Sequence, residues 1–323
     1  MQPTPKPPLL VLVGPTAVGK TGYSLDLAEA WNAEIISGDS MQVYRGMDIG
    51  TAKLPPEQRR GIPHHLIDVR DPREPYSVAD FQAECRRLIA DIRSRGKLPF
   101  IVGGTGLYVE SVCYDYQFAD YGSDEPYRAE LQRLAEAQGN EAVHALLAQV
   151  DPASAARLHA NDARRVIRAL EVHRTTGKPL SEHLHGQKKT SPYELCMVGL
   201  TMDRALLYAR VEERVDAMLA QGLEQEVREL LHQGVPRQAT AMQSLGYKEL
   251  LPYLAGECSH AEAVRILKRD TRHFAKRQLS WFRHMTDIRW VDVGFSQNFH
   301  ENLHTIHAII AGKFRKGLEY RCN

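Results

Sequence analysis

At 323 residues, with 43% hydrophobic and 25% charged side chains, the chain has the composition of a packed globular protein of one large or two smaller domains, which excludes wholesale disorder and a coiled-coil rod. Its 41 basic and 40 acidic residues leave a formal charge of +1, so the chain lacks the global basicity of a nucleic-acid binder and only local patches could serve one. No run approaches the ~18 apolar residues of a membrane helix, and the five cysteines, Cys85, Cys113, Cys196, Cys258 and Cys322, form no CxxC pair, which argues against a disulfide framework or structural zinc and for a reducing cytoplasm.

A Pro-rich start over Met1–Pro8 reads as mobile. Leu9–Val13 is then a short continuous apolar run, the signature of a strand buried on both faces. The segment from Thr21 to Trp31 reads as a helix whose buried face holds Leu25, Leu27, Ala28 and Trp31. A second strand is predicted over Glu34–Ile36. Ser77 and Asp80 fit a capping box that opens a helix with Phe81, Leu88 and Ile92 along one side. Pro99–Val102 and Leu195–Leu200 complete the strong strand signals. Strands alternating with helices predict a P-loop NTPase-like parallel sheet flanked by helices.

From about Asp115 to His185 the pattern is helical and Ala-rich, with no convincing strand. It reads as an inserted all-helical domain, 115–189, splitting a catalytic core of 1–114 and 190–323. Beyond Asp203 the residues Leu206, Leu207, Val211, Val215, Met218, Leu219 and Leu223 recur at helical spacing, with a terminus at Gly222 or Gly234. A strand at Ile288–Val293 and a further helix are read in the last ~30 residues. Cys258 and His260 are too isolated for a metal site and read as loop residues.

Gly14, Pro15, Thr16, Ala17, Val18, Gly19, Lys20 and Thr21 match G-x-x-x-x-G-K-[ST] between the first strand and the first helix, the context such a loop requires. Its glycines let backbone N–H groups close on phosphate oxygens, the helix N-terminus favours negative charge, Lys20 adds a point charge and the Thr21 hydroxyl can ligate Mg²⁺. A ligand with linked phosphates is expected. Three readings share this loop: a small-molecule kinase, a nucleotide switch or motor, and a transferase whose leaving group is pyrophosphate. No Asn-Lys-x-Asp base-reading motif of a GTPase occurs.

Asp39, Ser40, Met41 and Gln42 follow the second strand, at the sheet edge where open α/β folds place ligands. Alone, the aspartate fits a turn cap as well as a base or metal ligand. Gln42 suits a bidentate pair with an adenine edge, so the two together suit a site that reads and deprotonates a base.

GPTAVGKT, DSMQVY and IVGGTGLY (Ile101–Tyr108), with NDARRVIRALE from Asn161, GYKE from Gly246 and TRHFAKRQ from Thr271, resemble the tRNA dimethylallyltransferase family, also called tRNA isopentenyltransferases, over nearly all the chain to about Arg283. The resemblance implies transfer of a five-carbon prenyl group from dimethylallyl pyrophosphate to N6 of adenine 37 in tRNA, with Mg²⁺. It implies Asp39 as base, Lys20, Thr16 and the loop N–H groups on the pyrophosphate, Thr105 beside the target base and Arg214 on the pyrophosphate. Arg210 and Arg214 also suit surface pairs with Glu212 and Glu213. Contact with tRNA is implied for Asp39–Gln42, for Ala163, Arg164, Arg165, Val166 and Ile167, and for Gln243, Ser244, Leu245, Gly246, Tyr247 and Lys248. Tyr127 is a further contact, with Tyr108, Tyr114, Tyr116 and Tyr121 as alternatives. Local charge supports this: Arg265, Lys268, Arg269, Arg272, Lys276, Arg277 and Arg283 crowd a segment whose single acid is Asp270, and Arg164, Arg165 and Arg168 form a second cluster. Both regions are expected to flank the anticodon stem-loop. Where the family often has Ser or Gly, this chain has Val18. No zinc-finger extension follows the basic segment, so a compact bacterial-type, cytoplasmic, monomeric enzyme is expected. The competing readings are an ATP-dependent small-molecule kinase and a non-catalytic RNA-binding switch.

Overall fold

The structure is a computed structural model that describes residues 6–118, 124–185, 189–294 and 299–314. Most of the Pro-rich start, Tyr121 and Cys322 lie outside the described residues. Strands β1 (Pro8–Val13), β2 (Ala33–Ser37), β3 (His64–His65), β4 (Leu98–Gly103), β5 (Glu194–Thr201) and β6 (Ile288–Asp292) form a 6-stranded sheet in the order β3-β2-β4-β1-β5-β6. All pairings are parallel. β1 is central, and Leu9–Val13 are buried throughout, which is why that run is apolar at every position and not alternating.

The helices are α1 (Lys20–Ala30), α2 (Val78–Ser94), α3 (Gly106–Cys113), α4 (Glu125–Gln138), α5 (Asn140–Val150), α6 (Pro152–Arg157), α7 (Ala163–Thr176), α8 (Leu180–His185), α9 (Arg204–Ala220), α10 (Leu223–His232), α11 (Leu251–Leu254), α12 (His260–Arg283) and α13 (Phe299–Lys313). α1 and α13 cover the sheet face formed by Leu10, Leu12, Ile35, Phe100 and Val198, with Tyr23 stacked on Phe299 at 4.4 Å between ring centroids. α2 opens on the capping box of Ser77 and Asp80. Its buried residues are Phe81, Gln82, Cys85, Ile89 and Ile92; Leu88 is half-buried because the stripe drifts around the helix at 3.6 residues per turn. α9 ends before Gly222, whose left-handed conformation caps the start of α10, and Gly234 (φ +80°) follows the end of α10. His260 opens α12 and Cys258 lies in the loop before it.

The chain divides into two compact units, Met1–Cys113 with Ser191–Asn323, and Tyr114–Thr190. The second unit is helical, α4 to α8, around Leu131, Val143, Leu147, Ala155, Val166, Ile167, Ala169 and Leu170. Beside that core the buried Glu171 takes ion pairs from Arg128 and Arg168. Among the described residues no helix is long and apolar enough to cross a membrane.

Candidate active site

Because the strands are parallel, β1, β2 and β4 deliver the phosphate loop, Asp39 and the Gly103–Gly106 turn to one edge of the sheet. The turn is tied to the Asp39 segment: the Thr105 N–H donates to Gly38 O at 3.2 Å and the Ser40 N–H donates to Thr105 Oγ1 at 3.1 Å. Its glycines are steric necessities. A Cβ on Gly103 would overlap the Gly38 carbonyl, one on Gly104 the Gln278 amide and one on Gly106 the Trp281 ring.

Two cavities meet here, sharing Thr16, Asp39, Thr51, Arg214 and Phe274 in their walls. The smaller also exposes Ala17, Gly19, Lys20 and Thr21. The larger, about 300 Å³, also exposes Ser40, Met41, Thr105, Gln243, Ser244, Leu245, Gly246, Lys248 and Arg277. One end is therefore built for anions, the other for a partly apolar ligand against Val215, Met218, Leu223 and Leu267.

In the phosphate loop, Lys20 Nζ donates to the carbonyls of Gly14 and Pro15 at 2.9 Å each. Burial and the nearby Arg214 cation lower its pKa to about 7, with Asp39 acting in the opposite direction. Gly14 and Pro15 thus seat the lysine and do not line either cavity. Val18 likewise turns into the core at 1% exposure, which accommodates the departure from Ser or Gly. Arg214 makes no ion pair among the described residues and borders both cavities; burial lowers its pKa, opposed by Asp39. Its neighbour Glu212 pairs instead with Arg272. Lys20 and Arg214 thus face the cavities with the Asp39 carboxylate as their one acidic neighbour there and no ion pair among the described residues to hold them, an arrangement that suits an anionic ligand.

Asp39 Oδ1 accepts the Met41 N–H at 2.8 Å, leaving the rest of the carboxylate at the junction of the cavities. The Gln42 amide is already engaged at both ends: Oε1 accepts the Ser37 hydroxyl at 2.8 Å and Nε2 donates to Thr51 O at 3.1 Å. One N–H and one lone pair remain, the two groups that a bidentate pair with an adenine edge would use. For Mg²⁺ the available donors are the Thr21 hydroxyl and the Asp39 carboxylate on one cavity wall, hard oxygens suited to an ion that keeps several waters and takes phosphate oxygens. They fit that ion. No cluster of three or more His, Cys, Asp or Glu exists among the described residues.

Several of the expected RNA-contact side chains lie wholly or partly away from solvent. Val166 and Ile167 are 0% and 6% exposed and belong to the core of the helical unit, leaving Arg164 and Arg165 on its surface. Tyr247 is fully buried, donating its hydroxyl to Glu226 at 2.6 Å. Tyr127 is half-buried with the Arg174 guanidinium 4.3 Å from its ring centroid, so one ring face is already covered. Tyr108 and Tyr114 are buried as well. The basic stripe of α12 is partly neutralised: Arg265, Lys268, Arg269 and Arg272 pair with Glu262, Asp216, Asp270 and Glu212. Lys276 and Arg277 are exposed and make no ion pair among the described residues.

The opposite side of α12 carries a residue that charge and spacing do not single out. Gln278 Oε1 accepts the Thr16 N–H at 2.8 Å and its Nε2 donates to Gly104 O at 2.9 Å. Trp281 donates to Glu110 at 2.9 Å one turn later. The signal was the glycine pattern itself, since each glycine marks a close approach whose partner lay elsewhere in sequence.

A family model described as IPP transferase matches residues 42–285. A tRNA dimethylallyltransferase of Geobacillus thermodenitrificans is 52% identical over 307 residues, covering 95% of this chain and 97% of the relative. Among solved structures, the full-length tRNA isopentenylpyrophosphate transferase of Bacillus halodurans aligns at TM-score 0.74 and 48% identity, over 97% of this chain and 98% of that one. A eukaryotic dimethylallyltransferase acting on tRNA aligns at TM-score 0.80 and 31% identity, over 98% and 81%. Similarity of this extent favours prenyl transfer over the kinase and the non-catalytic RNA switch. With the phosphate loop, the Asp39 segment and the glycine turn assembled on one sheet edge, the chain belongs to the IPP transferase family.

Proposed function

We propose that the protein transfers the dimethylallyl group of dimethylallyl pyrophosphate to N6 of adenine 37 in tRNA. The observation that carries this is the placement of Asp39, Thr105, Lys20 and Arg214 around joined cavities, one cationic and one partly apolar. The N6 lone pair of adenine is delocalised into the ring, so its proton must leave as the N–C bond forms. Asp39 receives that proton. The allylic C–O bond breaks with its electron pair going to pyrophosphate, whose growing charge meets Lys20, Arg214 and the N–H groups at the start of α1. Mg²⁺ held by Thr21 would supply charge neutralisation on the pyrophosphate when bound.

The tRNA side of the reading rests on Ser40, Met41, Thr105, Gln243, Leu245 and Lys248 in the larger cavity, with Lys276, Arg277, Arg164 and Arg165 supplying exposed charge. Unpaired loop bases are the usual targets of such readout. We place the enzyme in the cytoplasm with its tRNA substrate, as a monomer: the exposed large hydrophobics among the described residues are Val69, Leu107 and Trp290, too few for the apolar patch of an obligate interface. Incubation with labelled dimethylallyl pyrophosphate, Mg²⁺ and unmodified tRNA should label adenine 37. Label in no tRNA would reject the reading.

A further inference from the structure

Glu226 is a buried carboxylate outside the phosphate loop. It lies on α10 at 9% exposure. Its Oε2 accepts the N–H groups of Asp48 and Ile49, both at 2.8 Å, while Oε1 accepts the Gly50 N–H at 3.0 Å and the Tyr247 hydroxyl at 2.6 Å. Three successive amides converging on one point form the kind of concavity that binds anions; here the anion is the protein's own. The Tyr247 ring lies against Gly50 so closely that a Cβ there would overlap it. Burial, the largest cause, and the Glu226 charge push the phenol pKa up, so Tyr247 remains a donor.

The clamped segment leads directly to the acceptor end of the site. Gly50 and Thr51 line the larger cavity with Asp39 and Thr105. The Thr51 carbonyl accepts from Gln42 Nε2, and Gln42 Oε1 accepts from Ser37, on either side of Asp39 in sequence. Ser37, Gln42 and Thr51 also border the smaller cavity, but none of these contacts is made by a residue of the phosphate loop.

We propose that Glu226 is a positioning residue for the acceptor base. By gathering the amides of Asp48, Ile49 and Gly50 it fixes the Thr51 carbonyl, and through it the Gln42 amide and the wall facing adenine. The inference deepens the prenyl-transfer reading and rests on it. A carboxylate that merely stabilised the fold would affect both substrates alike; one that acts through the Gly50–Thr51 wall affects the RNA more than the pyrophosphate, whose cradle is the phosphate loop.

The test uses the full chain with Glu226→Gln and Glu226→Ala. In the glutamine variant the NH₂ group takes the place of the oxygen that the Tyr247 hydroxyl and the Gly50 N–H share, so at least one buried donor of that pair loses its acceptor. The expected result is a kcat/KM for anticodon stem-loop RNA lowered by roughly tenfold in Glu226→Gln, the scale of one orphaned buried donor, and further in Glu226→Ala. Pyrophosphate affinity of the folded protein, measured by calorimetry, stays within about twofold in both, since no contact of Glu226 reaches the loop. Equal losses for RNA and pyrophosphate, or no loss for either, would overturn the proposal. If Glu226→Ala does not fold, Glu226→Gln carries the test alone. If the wild type binds pyrophosphate but prenylates no RNA, the functional reading fails, and RNA affinity in Glu226→Gln against wild type then decides the role of Glu226.

Discussion

Gln278 Oε1 accepts the Thr16 N–H at 2.8 Å while its Nε2 reaches Gly104 O at 2.9 Å, so one side chain of α12 sets the spacing between the phosphate loop and the glycine turn. Gln278→Met preserves the volume and removes both bonds. The part-buried Thr16 N–H and the buried Gly104 carbonyl then lose this bridge, the two segments are no longer held at that spacing, and pyrophosphate affinity is expected to fall roughly tenfold. Calorimetric titration checks this; an unchanged affinity would release Gln278 from the role.

Lys20 gives a pH signature. With its pKa near 7 in the free protein, it is protonated below that pH and neutral above it, and a bound pyrophosphate favours the protonated form. Binding at pH 7 to 8 should therefore take up protons, and affinity should weaken as pH rises through 7. Calorimetry in buffers of different ionisation enthalpy measures both.

The same shift has a cost in stability. The unfolded chain keeps Lys20 protonated up to about 10.4, so it binds more protons than the folded chain between that pH and about 7, and stability rises with pH across this window. At and below pH 7 the penalty is complete. Lys20→Met should raise the melting temperature at pH 7 while abolishing pyrophosphate binding; a lowered melting temperature would contradict the buried-charge account.

Arg272 and Lys276 separate two uses of the same stripe. Arg272 is paired with Glu212 across to α9, while Lys276 is exposed and has no ion pair among the described residues. Lys276→Ala should reduce the salt slope of tRNA binding by about one unit, and Arg272→Ala should change it less. Binding measured over a series of salt concentrations distinguishes them; equal slopes for both variants would show that the pairing is irrelevant to RNA.

Much of this site was legible in sequence because local chemistry marks it. The Gly14–Thr21 loop, Asp39 after a buried strand and the Ser77 cap each follow from neighbouring residues. The sheet order was not, since β3 is only His64–His65 and offers no periodicity. Gln278 and Glu226 escaped for a different reason: their partners lie far away in sequence, and a buried polar side chain looks like a surface one until its partner is known. Val166 and Ile167 sat inside a family motif, yet their 3.6-residue phase on α7 points them into a core.

The account stands most directly on Asp39 as the base that takes the N6 proton. Asp39→Asn keeps the oxygen that accepts the Met41 N–H and removes the basicity. Single-turnover transfer of the prenyl group to tRNA is expected to slow by about 10²–10⁴-fold, with pyrophosphate and tRNA affinities nearly unchanged. Transfer at the wild-type rate by Asp39→Asn would contradict it.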